Sequence, residues 1–272
     1  MPKHNLPRLP LLLAGGLLCW AGIAGAGTVI VNATDVIYAA GSQSGDAAGA
    51  GGTVPGAVIA LNGASSVTFS GVTGSVAYGT SLNGSAPCQS TEGCIMLDLN
   101  TGNVLNDADG DYGAATLSFV TGPVGGISGI EAPGDGYLTG VFLGPAGPSG
   151  PAPVALNFTG SGGTSFASLN PLIDQVFFIG DGLTEDGTGT GQVFNVPEGA
   201  TELVLGISDA CGYQGGGPSC YGDNVGSYTV DYTLVGDPPP APSAVPEPSS
   251  GVWLPAAILA LALLYGRKRR IG

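Results

Sequence analysis

The chain has 272 residues, of which 43% are hydrophobic and only 10% charged, and it contains 50 glycines and 21 prolines. The lack of a Gly-X-Y period excludes collagen, and the many aliphatic and aromatic residues exclude a disordered polar chain. The net charge is −14, and the six basic residues all lie near the two ends, at Lys3, Arg8 and residues 267–270. Because nucleic-acid binding requires basic side chains, we expect no nucleic-acid partner.

The middle of the chain also lacks the groups on which common catalytic mechanisms depend. The single histidine is His4, so residues 27–245 contain no His, Lys or Arg. Ser-His-Asp and Cys-His mechanisms need an imidazole base, and Schiff-base chemistry needs a lysine. Two carboxylates alone can hydrolyse a glycoside, but here they lack basic partners and have only Tyr and Phe as aromatic neighbours. We therefore predict that the protein is not an enzyme.

The many carboxylates of residues 27–237 need a counter-charge that the side chains cannot supply. Carboxylates that fold together are spaced over the surface or neutralised by bound cations. Hard oxygen ligands favour calcium, so calcium is the expected cofactor.

The first 26 residues predict a secretory signal peptide. Lys3 and Arg8 form a basic start, residues 9–23 are apolar, and the small residues 24–26 provide a cleavage site. We predict cleavage after Ala26.

Residues 27–237 predict one all-β domain. Short runs rich in β-branched and aromatic residues alternate with clusters of Gly, Asp, Asn and Pro, without a long helical period. About a dozen strands in a chain of this length favour a β-sandwich. The predicted strands are 28–31, 58–61, 66–69, 74–78, 95–99, 115–120, 137–143, 154–158, 175–179, 192–196, 202–207 and 227–235. One short helical turn is expected within residues 165–172.

Four cysteines remain after signal cleavage, namely Cys88, Cys94, Cys211 and Cys220. Export permits disulfides, and the even count supports them. Of the three possible pairings we favour the local ones, Cys88–Cys94 and Cys211–Cys220. Metal binding is the alternative, although the CxxC spacing of thiolate zinc sites is missing.

Two acidic segments lie between predicted strands. Asp107, Asp109 and Asp111 have the alternating spacing of a calcium loop, but the turn glycine and closing glutamate of an EF-hand are missing. We expect a solvated turn there, and an irregular calcium loop is the alternative. Asp181-Gly182 with Glu185-Asp186 predicts an acidic hairpin without a special role.

The segment after Asp209 contains candidate calcium ligands. An aspartate at a strand end, opposite Asp223 and Asn224 in a glycine-containing turn, can supply several oxygens to one ion. On spacing alone we expect an Asp/Asn-rich turn that only caps a strand, and a calcium site is the alternative.

This segment also resembles the calcium-dependent galactophilic lectins of the PA-I type. Residues 221–227, Tyr-Gly-Asp-Asn-Val-Gly-Ser, are similar to the turn that opens the last strand of those lectins. Residues 200–209 are similar to the preceding strand, which ends in a calcium-ligating aspartate. The resemblance implies a jelly-roll or galactose-binding-like sandwich. It implies as calcium ligands Asp209, Asp223, Asn224 and the carbonyl oxygens of Cys220 and Tyr78.

The chain departs from these lectins where they contact sugar. Residues 210–217 are inserted there, and the histidine that the lectins place on the sugar is missing. Both tryptophans, Trp20 and Trp253, lie in the end segments. The resemblance therefore supports calcium binding more than galactose binding.

The C-terminal residues predict a sorting signal. Residues 238–248 are rich in proline and predict an extended linker. Pro246-Glu247-Pro248, the apolar run 252–265 and the basic residues 267–270 resemble the PEP-CTERM signal of Gram-negative bacteria, which we assign to residues 246–272. The resemblance implies that an exosortase recognises Pro246, Glu247 and Pro248, and that a short helix holds the protein in the membrane before processing. A plain single-pass anchor is the alternative.

These features predict an exported protein of the cell surface or extracellular matrix. Its β-sandwich is expected to bind calcium, and the lectin resemblance suggests an exopolysaccharide as ligand. The alternative is a purely structural protein of the biofilm matrix that binds no sugar.

Overall fold

The computed structural model describes residues 23–42, 51–77, 94–97, 104–110, 119–120, 124–133, 136–160, 162–209 and 217–236. The chain divides into two units, 1–237 and 238–272, and all described residues belong to the first. These residues are all-β, and their sheets form a sandwich-like arrangement, as the sequence predicts.

The described residues form sixteen strands and two short 3-10 helices. The strands are β1 Ile23–Asn32, β2 Val58–Ala60, β3 Ala64–Ala77, β4 Cys94–Leu97, β5 Val104–Asn106, β6 Phe119–Val120, β7 Ile130–Ala132, β8 Leu138–Leu143, β9 Leu156–Asn157, β10 Ser168–Leu169, β11 Val176–Phe178, β12 Leu183–Glu185, β13 Thr188–Gly191, β14 Val193–Asn195, β15 Glu202–Ile207 and β16 Val225–Gly236. The 3-10 helices are Ile37–Ala39 and Tyr221–Asp223.

The larger sheet has seven strands and is centred on β3 and β16. Its order is β1-β16-β3-β14-β10, with β5 also beside β3 and β4 beside β5. The sequence predicted two strands, 66–69 and 74–78, where the structure has the single strand β3. Gly74 allows this continuity, because its φ is +104° and a Cβ there would lie 2.3 Å from the carbonyl oxygen of Ser227. Gly74, the first residue of the second predicted strand, thus permits close pairing with β16.

The second sheet has four strands in the order β11-β8-β15-β2. All six residues of β8 are buried, which is the pattern of a strand covered on both faces. Aromatic rings connect the two large sheets: Phe177 of β11 lies 5.3 Å from Phe194 of β14, measured between ring centroids. Phe194 also contacts Phe69 of β3 edge to face at 5.3 Å. The core is therefore a layer of aromatic and aliphatic side chains between these sheets.

Two smaller sheets complete the described part of the domain. β12 and β13 form the acidic hairpin that the sequence predicted, and β6, β7 and β9 form a three-stranded sheet.

The helical turn expected within 165–172 is wrong, because Ser168–Leu169 pairs with β14 as strand β10. The side-chain amide of Gln192 donates to the carbonyls of Thr164 at 2.6 Å and Phe166 at 2.9 Å. The carbonyls of this segment are therefore satisfied from outside rather than by a helical ladder.

The predicted targeting segments lie mostly outside the described residues. β1 begins at Ile23, before the predicted cleavage site, and residues 27–32 pair with residues 227–232 of β16. Cleavage after Ala26 would therefore leave most of this strand in place. No helix within the described residues has both the length and the hydrophobicity needed to cross a bilayer.

Candidate functional site

The predicted calcium site lies where the chain leaves β15 and enters β16. Asp209 follows β15 by two residues, and Asn224 directly precedes β16. Both side chains are buried, at 3% and 5% exposure. Nδ2 of Asn224 donates to Oδ2 of Asp209 at 2.9 Å and to the carbonyl oxygen of Ala33 at 3.0 Å. The structure therefore brings two of the predicted ligand residues into contact.

Tyr221 connects the two segments that carry these residues. Its buried hydroxyl accepts the backbone N–H of Asp209 at 2.9 Å and donates to the carbonyl of Ile207 at 2.7 Å. Burial raises the pKa of Tyr221 well above its ordinary value, and neighbouring Tyr38 and Asp209 add to the effect. The hydroxyl therefore stays protonated and can donate. In the sequence, Tyr221 is only one letter of the lectin-like turn, and nothing there indicates that its hydroxyl joins two strand ends.

The turn before β16 also contains Cys220. The backbone N–H of Ser219 donates to the carbonyl of Asp209 at 3.4 Å, which places the start of the turn beside the end of β15. Cys220 has a left-handed φ of 66° and forms a disulfide. Its predicted partner Cys211 lies outside the described residues.

Several other predicted site residues also lie outside the described part of the structure. These are Tyr78, Cys88 and the side chain of Asp223, and Cys94 is described only as the first residue of β4. The sorting motif Pro246, Glu247 and Pro248 is outside it as well.

One oxygen at the predicted site lacks a partner. Oδ1 of Asn224 is buried and accepts no hydrogen bond, although buried polar atoms are normally paired. Amide and carboxylate oxygens are both good calcium ligands. Asn224 and Asp209 are therefore the described residues that could hold a cation here.

A further buried carboxylate belongs to Asp35, which no motif in the sequence indicates as a site residue. Its Oδ2 accepts the backbone N–H of Asn32 at 2.8 Å, and its Oδ1 accepts the hydroxyl of Thr53 at 3.1 Å. Burial raises the pKa of Asp35, and these hydrogen bonds oppose that rise. Its carbonyl accepts the N–H of Ile207 at 2.8 Å, so Asp35 fastens the loop after β1 to the end of β15.

A second group of carboxylates lies beyond the ends of β5 and β12. One oxygen each of Asp107, Asp109 and Asp186 lies within 4.8 Å of the other two. The solvated turn expected around Asp107 is wrong over its described part, because Ala108 is 3% and Asp109 5% exposed. Asp111 lies outside the described residues.

Hydrogen bonds from both large sheets hold this turn against the domain. The N–H of Leu138, at the start of β8, donates to the carbonyl of Ala108 at 2.9 Å. The buried hydroxyl of Tyr228 in β16 lies 2.5 Å from the carbonyl oxygen of Asp107 and 2.9 Å from that of Gly136. Neither contact is predictable from the sequence, since each depends on the packing of one sheet against the other.

The electrostatics of the cluster follow from burial and like charges. Burial, reinforced by Asp181, Asp107 and Asp186, raises the pKa of Asp109 to about 8. Burial and then the charge of Asp186 raise the pKa of Asp107 to about 7.

Asp181, next to the cluster, holds the β12–β13 turn through hydrogen bonds. Its carboxylate accepts the backbone N–H groups of Leu183 at 2.7 Å and Gly187 at 2.8 Å. It therefore folds the β12–β13 turn back toward the end of β11.

Both groups of residues lie at the same end of the four-stranded sheet. Ile207, two residues before Asp209, pairs with Leu138. The carbonyl of Leu138 accepts the N–H groups of Ile179 and Gly180 at 3.0 and 3.2 Å, directly before Asp181. Strands β15 and β11, which lie on either side of β8, therefore both finish at the end of the sheet where the two acidic groups lie.

No family model matches the chain, and no curated protein or solved structure matches it significantly. The likeness to PA-I type lectins and to the PEP-CTERM signal therefore depends on the sequence motifs alone.

Proposed function

We propose that this chain is an exported protein of the cell surface or extracellular matrix whose β-sandwich binds calcium between Asp209 and Asn224. The observation that carries the proposal is the buried Oδ1 of Asn224, which has no hydrogen-bond partner beside a buried carboxylate. Leaving such a group unsatisfied costs about 1–3 kcal/mol. A cation at this point would give the amide oxygen a partner to coordinate and the carboxylate a counter-charge.

The charge distribution supports a cation here. Residues 9–266 contain no Lys, Arg or His, so no side-chain cation of this segment can neutralise Asp209. One donor to its carboxylate is the neutral amide of Asn224, which supplies no counter-charge. The carbonyl of Cys220 and the side chain of Asp223 are the additional ligands that the lectin resemblance suggests.

Carbohydrate is the ligand class that we propose for the calcium-bound site. The turn 221–227 resembles that of lectins that bind galactose in a calcium-dependent manner, and the proposed setting is rich in polysaccharide. A glycan array probed with the purified chain tests this. Saturable binding that a chelator abolishes would support a sugar ligand, whereas silence on every glycan would favour the purely structural matrix protein.

Export and sorting are proposed from the two end segments. The signal-like residues 1–26 and the PEP-CTERM-like residues 246–272 support recognition by an exosortase. Replacing Pro246, Glu247 and Pro248 with alanines should prevent removal of the tail in the native host. Unchanged processing would instead identify the tail as an ordinary anchor.

Calcium binding itself is tested by thermal unfolding of the purified chain in calcium and in chelator. A ligand at about one hundred times its Kd stabilises the folded state by about 2.7 kcal/mol. Asp209→Asn should reduce the calcium-dependent shift in Tm. Glu198→Gln makes the same chemical change on an exposed side chain and should keep the full shift. Identical shifts in Asp209→Asn and the unmodified chain would contradict this site.

A further inference from the structure

Two separate segments bring three carboxylates close together, those of Asp107, Asp109 and Asp186. Asp107 and Asp109 lie on the loop after β5, and Asp186 lies in the turn between β12 and β13. One oxygen of each is within 4.8 Å of the other two. Calcium binds oxygens at about 2.3–2.6 Å, so two ligands on opposite sides of the ion are about 5 Å apart. The spacing of the three oxygens therefore suits one shared calcium ion.

The second observation is a buried oxygen of Asp109 without a partner. This side chain is 5% exposed, and its Oδ2 accepts no hydrogen bond. Its Oδ1 lies 3.4 Å from the backbone N of Asp181, and a Cβ at Gly180 would come within 2.1 Å of it. Oδ1 is therefore enclosed by backbone, and Oδ2 is left for a ligand. A buried carboxylate normally has both oxygens satisfied.

Among the residues that the structure describes, no basic side chain is present to neutralise the cluster. Residues 9–266 contain no Lys, Arg or His, and Asp181 adds a fourth carboxylate nearby. Protons or a metal ion are then the remaining counter-charges. Hard carboxylate oxygens grouped in this way select calcium over transition metals.

We propose that Asp107, Asp109 and Asp186 form a second calcium site, separate from the one at Asp209 and Asn224. The ion fastens the β12–β13 turn to the loop after β5, which Tyr228 and Leu138 already hold against the two large sheets. Without the ion, repulsion among the carboxylates drives the turn away from the loop. The base of the hairpin is held independently, since Gly182 packs closely on Phe69 of β3.

Calorimetric titration of the purified full chain with calcium alone tests this site. Asp186→Asn should weaken one binding event by at least about tenfold, because ligand charge sets calcium affinity. Asp209→Asn should weaken the other event and leave this one unchanged. Glu198→Gln, the matched control, should affect neither.

The outcomes separate the two sites. Weakening by Asp209→Asn but not by Asp186→Asn would overturn the second site. Weakening by Asp186→Asn but not by Asp209→Asn would support the second site and overturn the first. Asp186→Asn is chosen for this test because Asp186 is only partly buried. This variant should therefore fold even if Asp109→Asn does not.

Hydrogen exchange provides a second measurement on the same variants. Calcium should slow exchange of the backbone amides of residues 183–191 in the unmodified chain, because it closes the turn on the loop. The slowing should disappear in Asp186→Asn and persist in Asp209→Asn. Equal calcium-dependent slowing in Asp186→Asn and the unmodified chain would overturn the proposal.

Discussion

The side-chain amide of Asn224 donates hydrogen bonds both to the carboxylate of Asp209 at 2.9 Å and to the carbonyl of Ala33 at 3.0 Å. Three segments therefore meet at one buried side chain: the residues after β1, the end of β15 and the turn before β16. The same side chain has an unpaired Oδ1. The side chain that joins these three segments is thus also one that we propose as a calcium ligand.

Asn224→Ala should lower the free energy of unfolding in chelator by about 1–3 kcal/mol, since it leaves a buried carboxylate and a carbonyl without their donor. Urea unfolding measures the loss. Asn195→Ala removes an amide that bonds to Ser168 and Asn170 in an exposed setting, and should cost about 0.5 kcal/mol or less. Equal losses would show that Asn224 does not connect these segments.

Tyr228→Phe should destabilise the protein by about 1–3 kcal/mol, because the lost hydroxyl is buried against the carbonyls of Asp107 and Gly136. It should also weaken calcium binding at Asp107 and Asp109, whose loop it releases. Tyr232→Phe, on the same strand but partly exposed, is the control and should change stability by about 0.5 kcal/mol or less. Denaturant unfolding and calcium titration of both variants check this, and equal behaviour would contradict it.

Gly180→Ala should be more damaging than Gly187→Ala. Both glycines have similar left-handed backbones, with φ of 61° and 63°, so the backbone strain of alanine is comparable. A Cβ at Gly180 would lie 2.1 Å from Oδ1 of Asp109, whereas a Cβ at Gly187 would meet no atom within 4 Å. The difference in unfolding free energy should be about 1–3 kcal/mol, the usual cost of overpacking. Equal costs in denaturant unfolding would mean that the Gly180–Asp109 contact does not matter.

In chelator, stability should fall as pH rises from about 4 to about 8. The folded-state pKa values of Asp107 and Asp109, about 7 and about 8, lie above the ordinary value of 3.8. In this range the folded chain therefore binds more protons than the unfolded chain, so raising the pH favours unfolding. Calcium replaces these protons and should oppose the fall.

Urea unfolding at about pH 5 and about pH 8 measures this pH dependence. Asp109→Asn removes one of the shifted groups and should make the fall smaller, whereas Glu198→Gln should leave it unchanged. The explanation is wrong if Asp109→Asn retains the full dependence.

Most strands of the domain could be predicted from the local pattern of the sequence. The alternation in 227–235 predicted β16 because residues facing the core recur along a strand with a period of two, and the short, mostly apolar run 203–207 predicted β15 as a buried strand. β7 and β10 are short and gain their structure from neighbouring strands. Local propensity therefore had little to indicate at those positions.

Only one of the two candidate sites could be predicted from the sequence. A short turn between two strands carries the oxygens of 220–224 and lies close in sequence to Asp209, so the lectin-like motif was enough to propose that site. The grouping of Asp109 with Asp186 could not be predicted, because the two belong to separate strand pairs.

The sequence by itself determined that the folded domain has many carboxylates and no basic side chain between residues 9 and 266. That property follows from composition, and in any fold the carboxylates must be spaced over the surface or neutralised by protons or cations. Only the tertiary structure decided which carboxylates must share a counter-charge. Pairing of β8 with both β11 and β15 brings Asp181 and Asp209 to one end of the sheet, and the hydrogen bond from the N–H of Leu138 to the carbonyl of Ala108 places Asp109 there too. Burial then removes the water that would otherwise screen their charges.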